Sequence, residues 1–330
     1  MECVATKMKV LVTGAAGFIG SALSSVLANR GFEVIAVDSI SDYYSIELKK
    51  RRVSEILIPS GVEFMEIQLA DSETVSNLFG ENRFDHVFHL AAQPGVRVPM
   101  EKSGSYVRDN LIGFSNVLIN SVTSNVQNFL YASSSSVYGN SSRFPYREDE
   151  RDLHPLSFYG ATKLSNEILA NSSVLNSSTR ARGLRFFSVY GPWGRPDMAY
   201  FKIGQALLSG TEFGVLGDGN KQRDFTYIDD VVSMILKLSD ELSERPKGYS
   251  DVVNVGGGAP CTLNHMIELL EELSGSTLNK VYNLNDVKDS YKTEADISLQ
   301  RELTGTSPET ALEEGLQKFW NWLEPSFKDI

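Results

Sequence analysis

Cysteine is nearly absent from the 330 residues. Cys3 and Cys261 stand alone, which excludes a disulfide framework and any Cys-x-x-Cys site. No apolar run approaches the roughly 18 residues that a membrane-spanning helix needs. Residues 1–7 lack the apolar core of a secretory signal and read as a loose extension, so a cytoplasmic protein is expected. Positive charge is in deficit: 31 Lys and Arg face 42 Asp and Glu, a net charge of −11. That balance argues against nucleic acid or an anionic membrane as partner, and admits an anionic substrate only where arginines gather locally. Histidines number four. His86 and His89 stand three apart in an expected strand and point to opposite faces, while His154 and His265 are isolated. No metal site is expected. Three Asn-Ser-Ser triplets, at Asn140, Asn171 and Asn176, match a glycosylation acceptor but read as chance in serine-rich stretches. There is no internal repeat and no low-complexity linker.

What the chain does have is organised around residues 9–20, Lys-Val-Leu-Val-Thr-Gly-Ala-Ala-Gly-Phe-Ile-Gly. The apolar run Val10, Leu11, Val12 reads as a strand buried on both faces. It ends in Gly14, Gly17 and Gly20, and a helix is expected over 21–29. Gly14 permits a sharp turn, Gly17 lets backbone approach a pyrophosphate, and Gly20 lets helix and strand pack closely. The helix N-terminus then faces the anion. A glycine trio alone also fits an ordinary turn. The next unit strengthens the dinucleotide reading, because a second strand over 33–38 ends in Asp38, 18 positions after Gly20. A carboxylate is placed there for the adenosine ribose hydroxyls. Asp38 would repel a 2′-phosphate and no arginine follows it immediately, so NAD is expected rather than NADP.

Further along, strands are expected over 62–67, 85–90, 129–132 and 183–187, and helices over 110–122 and 159–169. Alternation at this spacing implies an α/β protein with a doubly wound parallel sheet. The stretch 39–52, with Tyr43 and Tyr44, reads as polar and charged. The pattern loosens after Ser188. Residues 191–197 form a turn-rich loop, and 252–255 have the character of a further strand of the main sheet.

Tyr159 and Lys163 stand four apart at the start of an expected helix and share a face. A nearby ammonium favours the phenolate of a tyrosine whose free pKa is about 10, moving it toward use as a general base. Ser134, at the preceding strand end, is placed to hydrogen-bond the same substrate hydroxyl. The plain alternative is a helix-surface pair. Arg195 lies in the loop that closes toward the cleft, and Arg97 follows the fourth strand. Either would suit phosphate or carboxylate, or be a solvated loop arginine.

Several motifs together carry a resemblance. They are Gly-Ala-Ala-Gly-Phe-Ile-Gly (14–20), His-Leu-Ala-Ala (89–92), Ala-Ser-Ser-Ser-Ser-Val-Tyr-Gly (132–139), Tyr-Gly-Ala-Thr-Lys (159–163) and Arg-Asp-Phe-Thr-Tyr-Ile-Asp-Asp (223–230). They resemble the extended short-chain dehydrogenase/reductase family. Gln-Pro-Gly-Val-Arg (93–97) and Arg-Phe-Phe-Ser-Val-Tyr-Gly-Pro-Trp-Gly-Arg-Pro-Asp-Met (185–198) resemble the UDP-glucuronate 4-epimerases within it, and the likeness spans about residues 8–322. By this resemblance Ser134, Tyr159 and Lys163 are the catalytic set. The NAD site would comprise Gly14, Gly17, Phe18, Ile19, Gly20, Asp38, Gln68, Leu69, Leu90, Ala91, Ala92 and Asn110, with Tyr159 and Lys163. The sugar nucleotide would meet Arg97, Ser135, Ser136, Ser188 and Arg195, with Arg223 and Asp289 on the uridine diphosphate.

Two departures stand out. Gln68 replaces the family's usual aspartate at the adenine, and Lys288-Asp-Ser-Tyr replaces Gly-Asp-Val-Pro around Asp289. Related dehydratases carry Asp-Glu at the positions of Ser135 and Ser136, and related uronate decarboxylases a Glu at Ser136. Here both are serine, whose hydroxyls donate to a substrate carboxylate where a glutamate would repel it. The plainer reading is a small-residue strand end that leaves room.

The resemblance implies a Rossmann-type NAD domain over 8–187 and mainly a substrate domain over 188–330, with a return to the main sheet near 225–256. It implies inversion at C4 of UDP-glucuronate, giving UDP-galacturonate through a transient 4-keto sugar. Alternatives are a UDP-glucose or UDP-N-acetylglucosamine 4-epimerase, a uronate decarboxylase, and a non-catalytic NAD-sensing protein. A homodimer is expected, because apolar Leu111, Phe114, Val117, Leu118, Leu164, Ile168 and Leu169 exceed what the sheet would cover and relatives pair these helices.

Overall fold

A computed structural model of the chain describes residues 7–96, 99, 101, 103–283 and 290–327. The chain begins with β1 (Lys9–Thr13), α1 (Phe18–Asn29), β2 (Glu33–Asp38) and α2 (Ile46–Arg52). It continues through β3 (Glu63–Glu66), α3 (Ser72–Glu81), β4 (His86–His89) and the single turn α4 (Gly104–Tyr106). Next come α5 (Phe114–Thr123), β5 (Asn128–Ser134), α6 (Phe158–Val174) and β6 (Arg180–Phe186). The last part holds β7 (Ser188–Tyr190), α7 (Ala199–Ser209), β8 (Glu212–Leu216), β9 (Gln222–Tyr227), α8 (Ile228–Ser243) and β10 (Ser250–Val255). It ends with β11 (Pro260–Thr262), α9 (Leu263–Ser274), β12 (Asn279–Asn283), α10 (Ser298–Thr304) and α11 (Leu312–Ser326).

The main sheet has seven parallel strands in the order β10-β6-β5-β4-β1-β2-β3. This is the doubly wound α/β architecture that the strand–helix alternation predicts. The two-residue period of a strand explains how both faces are filled. Val10 and Val12 join a core with Phe18, Leu23 and Leu27 of α1 and Val231 and Ile235 of α8. Leu11 points the other way, to Val75 of α3 and to Phe114 and Val117 of α5. With both faces covered, the strands read as continuous apolar runs. β10 pairs with β6 along 250–255, so the chain crosses back over the sheet through α8. β11, β9 and β7 form a small second sheet, and β12 pairs with β8.

Some boundaries differ from expectation. β5 runs to Ser134 rather than Ala132, because its ladder to β6 includes Ser133 opposite Arg185 and Ser134 opposite Phe186. Pairing with β6 overrides the weak strand preference of serine. α6 continues past 169 to Val174, since Asn171, Ser172 and Ser173 lie on its solvent face. The helix expected over 110–122 is instead a wide π-type coil over Val107–Gly113 leading into α5.

Candidate active site

A cleft of about 1010 Å³ opens beyond the carboxyl ends of the strands, where a doubly wound sheet places its ligands. Gly14 turns the chain at its floor with φ +70°, and a Cβ there would lie 2.6 Å from the Ala91 nitrogen. Only glycine fits. Gly17 is the N-cap of α1, with no side-chain cap and no acid in the first helical turn. The first amides of α1 are thus open to an anion. Asp38 ends β2 with its carboxylate accepting from the amides of Ala16 (3.1 Å) and Ile40 (2.9 Å). Burial raises its pKa, against those two bonds and the charges of Lys49 and Arg52. A glycine cradle, an uncapped helix end and a fixed carboxylate together suit a dinucleotide.

Phe18, Ile19, Gly20, Gln68, Leu69, Leu90, Ala91 and Ala92 also line this cleft. Gln68 folds back, its Oε1 accepting from the Ala70 amide at 3.2 Å. Asn110 is not among the residues that line the cleft. It is buried behind the wall, its Oδ1 accepting from Gln93 N (2.7 Å) and its Nδ2 donating to Gln93 O (3.2 Å) and Thr162 Oγ1 (3.1 Å). It props the 91–95 loop.

At the middle of the cleft α6 starts with Ser157 accepting from the Gly160 amide at 3.0 Å, which orients the first turn and Tyr159. Ser134 lines the cleft with Tyr159. Burial raises the Tyr159 pKa, and the Arg195 charge and the Ser134 hydroxyl pull it back down. Lys163 stands beside the phenol ring and is anchored to the strand. Its Nζ donates to Ala132 O at 2.8 Å and stands 5.7 Å from the Tyr159 ring centroid. The guanidinium favouring the phenolate is Arg195. Burial lowers the Lys163 pKa to about 7. Behind these residues Arg185 pairs with Glu167 at 2.8 Å, and Ser133 donates to the same carboxylate, so α6 is tied to β5 and β6.

Ser135 and Ser136 lie in a tight turn after β5 and line the cleft, as does Ser188 at the start of β7. The Ser136 amide donates to Ser134 Oγ at 3.1 Å. Arg195 makes two bonds to Asp197, at 3.0 and 2.5 Å. Burial works against its charge, yet Asp197 holds the Arg195 pKa above the usual value. Arg223 lines the far end and donates to Ser290 O at 2.8 Å. Arg97 and Asp289 lie outside the described residues.

Asp197, Tyr43, Lys49 and Lys202 also line the cleft and were not singled out from sequence. The Tyr43–Tyr44 pair within a charged stretch was the one available signal. Among the described residues no three His, Cys, Asp or Glu are grouped to hold a metal ion, and no helix is long and apolar enough to cross a membrane.

Comparison with known proteins completes the picture. Residues 10–256 match the NAD dependent epimerase/dehydratase family. UDP-glucuronate 4-epimerase 2 of Arabidopsis thaliana is 39% identical over 328 residues, covering 96% of this chain and 75% of that protein. The structure of UDP-glucuronic acid 4-epimerase from Bacillus cereus, in complex with UDP-glucuronic acid and NAD, is 33% identical with a TM-score of 0.86. That match covers 96% of this chain and 99% of the other. UDP-glucose 4-epimerase of Thermotoga maritima, solved with UDP-glucose, is 31% identical with a TM-score of 0.86, covering 97% and 100%. Family model, fold and cleft agree, and the chain belongs to the NAD dependent epimerase/dehydratase family, an epimerase of the extended short-chain dehydrogenase/reductase type that uses NAD.

Proposed function

We propose that the substrate is a UDP-sugar and that the reaction is reversible inversion at C4 between UDP-glucuronate and UDP-galacturonate. The observation that carries this reading is the wall facing Tyr159. It presents Ser134, Ser135, Ser136 and Ser188 with the Arg195 guanidinium, and no carboxylate stands at 135 or 136. Hydroxyl donors and a forked cation suit a sugar carboxylate. The similarity to the Arabidopsis and Bacillus proteins supports the same substrate, and the Thermotoga likeness makes UDP-glucose the competing one.

Gly14, Gly17, the first turn of α1 and Asp38 hold NAD, and Lys163 offers it the ammonium donors left over from Ala132. NAD supplies reversible hydride acceptance, so the cycle closes without net redox. Tyr159 takes the proton of the 4-hydroxyl while Ser134 holds the same oxygen. The sugar becomes a 4-ketone, turns its other face, and Tyr159 returns the proton. That ketone is a β-keto acid prone to lose CO2. Ser135, Ser136 and Arg195 hold its carboxylate, positions 135 and 136 carry no acid, and the Asp197 carboxylate is taken up by Arg195. Arg223 meets the diphosphate. Residues 8–187 serve the cofactor, and 188–330 mainly the sugar nucleotide, with α8 and β10 returned to the main sheet.

A homodimer formed through α5 and α6 belongs to the same reading. Phe114, Val117 and Leu118 are packed under the sheet. Apolar residues left exposed include Ile119 (56%) on α5, with Ile112 (46%) in the coil before it, and Phe158 (38%), Ile168 (63%) and Leu169 (39%) on α6. Light scattering at micromolar concentration should give twice the chain mass.

The deciding measurement is product identification by NMR with UDP-glucuronate, UDP-glucose and UDP-N-acetylglucosamine side by side. UDP-galacturonate should dominate. Preference for a neutral sugar, or a UDP-pentose as main product, would sink the uronate assignment.

A further inference from the structure

Arg52 ends α2 and is wholly buried, yet it is not among the residues that line the cleft. Its guanidinium joins three stretches of chain. Nη1 donates to Ala16 O, inside the glycine loop, at 2.9 Å and to the Tyr44 hydroxyl at 2.7 Å. Nε and Nη2 donate to Trp193 O at 3.0 and 2.7 Å, and Nη2 also to Gly194 O at 2.8 Å. The next residue is Arg195. Neighbours of Arg52 reinforce the clasp. The Arg51 guanidinium stands 5.3 Å from the Trp193 ring centroid, and the Tyr43 hydroxyl is 3.5 Å from Asp197. Trp193 is held at φ +62°, a left-handed conformation that bulky residues keep only where their surroundings fix it. An apolar side chain in its place would leave the Ala16, Trp193 and Gly194 carbonyls without this donor in the interior. A rigid fork of five donors is what can tie two loops together at once.

We propose that Arg52 is a positioning residue that locks the 193–197 loop onto the glycine loop, so that Arg195 is set in place for the sugar before it arrives. The proposal rests on the reading of Arg195 as a sugar contact. Arg52 touches neither ligand and acts through the loop. A loop ordered in advance removes an ordering cost from sugar binding and leaves the uridine diphosphate end untouched.

The test is Arg52→Lys in the NAD-loaded enzyme, which keeps the charge and loses the fork. In protein saturated with NAD the Kd for UDP should stay within about twofold of wild type, while Kd and KM for UDP-glucuronate rise about tenfold. A fall in Tm and kcat with an unchanged ratio of UDP to UDP-glucuronate affinity would show a merely structural role and overturn the proposal. Should Arg52→Lys yield no folded protein, Arg52→Gln keeps a planar pair of donors at the same place without the fork, and a ratio unchanged there also overturns it. Arg195→Lys is measured alongside. A ratio it leaves unchanged means the loop does not read the sugar, and the proposal falls with the reading beneath it. A ratio that Arg195→Lys shifts and Arg52→Lys does not overturns the proposal alone.

Discussion

The two ends of the cleft are built by different means. The cofactor end is mostly backbone: a left-handed glycine, the open amides of α1 and a carboxylate fixed by two amides, all between Gly14 and Asp38. The end that we assign to the sugar is mostly side chains brought from afar, with Ser134–Ser136 at and after the end of β5, Ser188 on β7, Arg195 in the following loop and Arg223 on β9. A site made of backbone tolerates no substitution that alters its path, whereas one made of side chains can change preference while the fold stands. Tyr159 and Lys163 sit where the two meet. Tyr159→Phe should therefore lower turnover by about 10²–10⁴-fold while NAD content and UDP-sugar binding persist, since the ring keeps its packing. Turnover near wild type would show that another group is the base.

Gly14→Ala sharpens the contrast from the cofactor side. Its methyl would meet the Ala91 nitrogen at 2.6 Å and its φ would stay near +70°, so the loop has to move. The purified protein should carry much less NAD, read from the nucleotide released on denaturation, and should melt earlier. Full NAD occupancy would show that the floor of the cleft yields more easily than its geometry implies.

Legibility follows the same division. The cofactor end could be read because its signal lies within 25 neighbouring residues, where glycine spacing and a strand-end acid have a direct meaning. The sheet could be read because both its faces are covered and its strands are uniformly apolar. Asp197 and Arg52 could not be singled out. Asp197 matters through Arg195 and Tyr43, and Arg52 through carbonyls about 140 positions away. One looks like a loop acid and the other like the end of the basic run 49–52. Spacing placed Lys163 beside Tyr159, where its ammonium stands over the ring, but could not show its bond to Ala132 O. Asn110 was named through the resemblance alone, and its bonds to Gln93 and Thr162 have no signal in the spacing of the sequence.

Lys163 gives a pH test at the seam. Its folded pKa is lowered to about 7 by burial, below the unfolded value of about 10.4. Between those values the unfolded chain binds the extra proton, so stability from this group rises with pH from about 7 to about 10 and is flat below. In NAD-free protein, Lys163→Met should melt above wild type at pH 6.5, and the gap should close toward pH 9.5. A gap independent of pH would mean that the ammonium is well solvated.

The smallest effect is expected at the sugar end, from Ser136→Glu. A hydrogen bond from a neutral hydroxyl to a carboxylate is worth roughly 1.5–3 kcal/mol, and a glutamate replaces that attraction with repulsion. Turnover of UDP-glucuronate should fall by about tenfold or more, while UDP-glucose, which lacks the carboxylate, should be affected less. NAD content should not change, because position 136 lies in the turn after β5 and the glycine cradle is formed by residues far from it in the chain. The new carboxylate should not make an efficient decarboxylase. Loss of CO2 requires the C5–carboxylate bond to stand perpendicular to the 4-keto plane, and Ser135 and Arg195 would still hold that carboxylate. The informative quantity is the ratio of the two substrates' kcat/KM. An equal fall for both sugars would place Ser136 among residues that shape the wall, and the recognition of the carboxylate would then rest on Arg195.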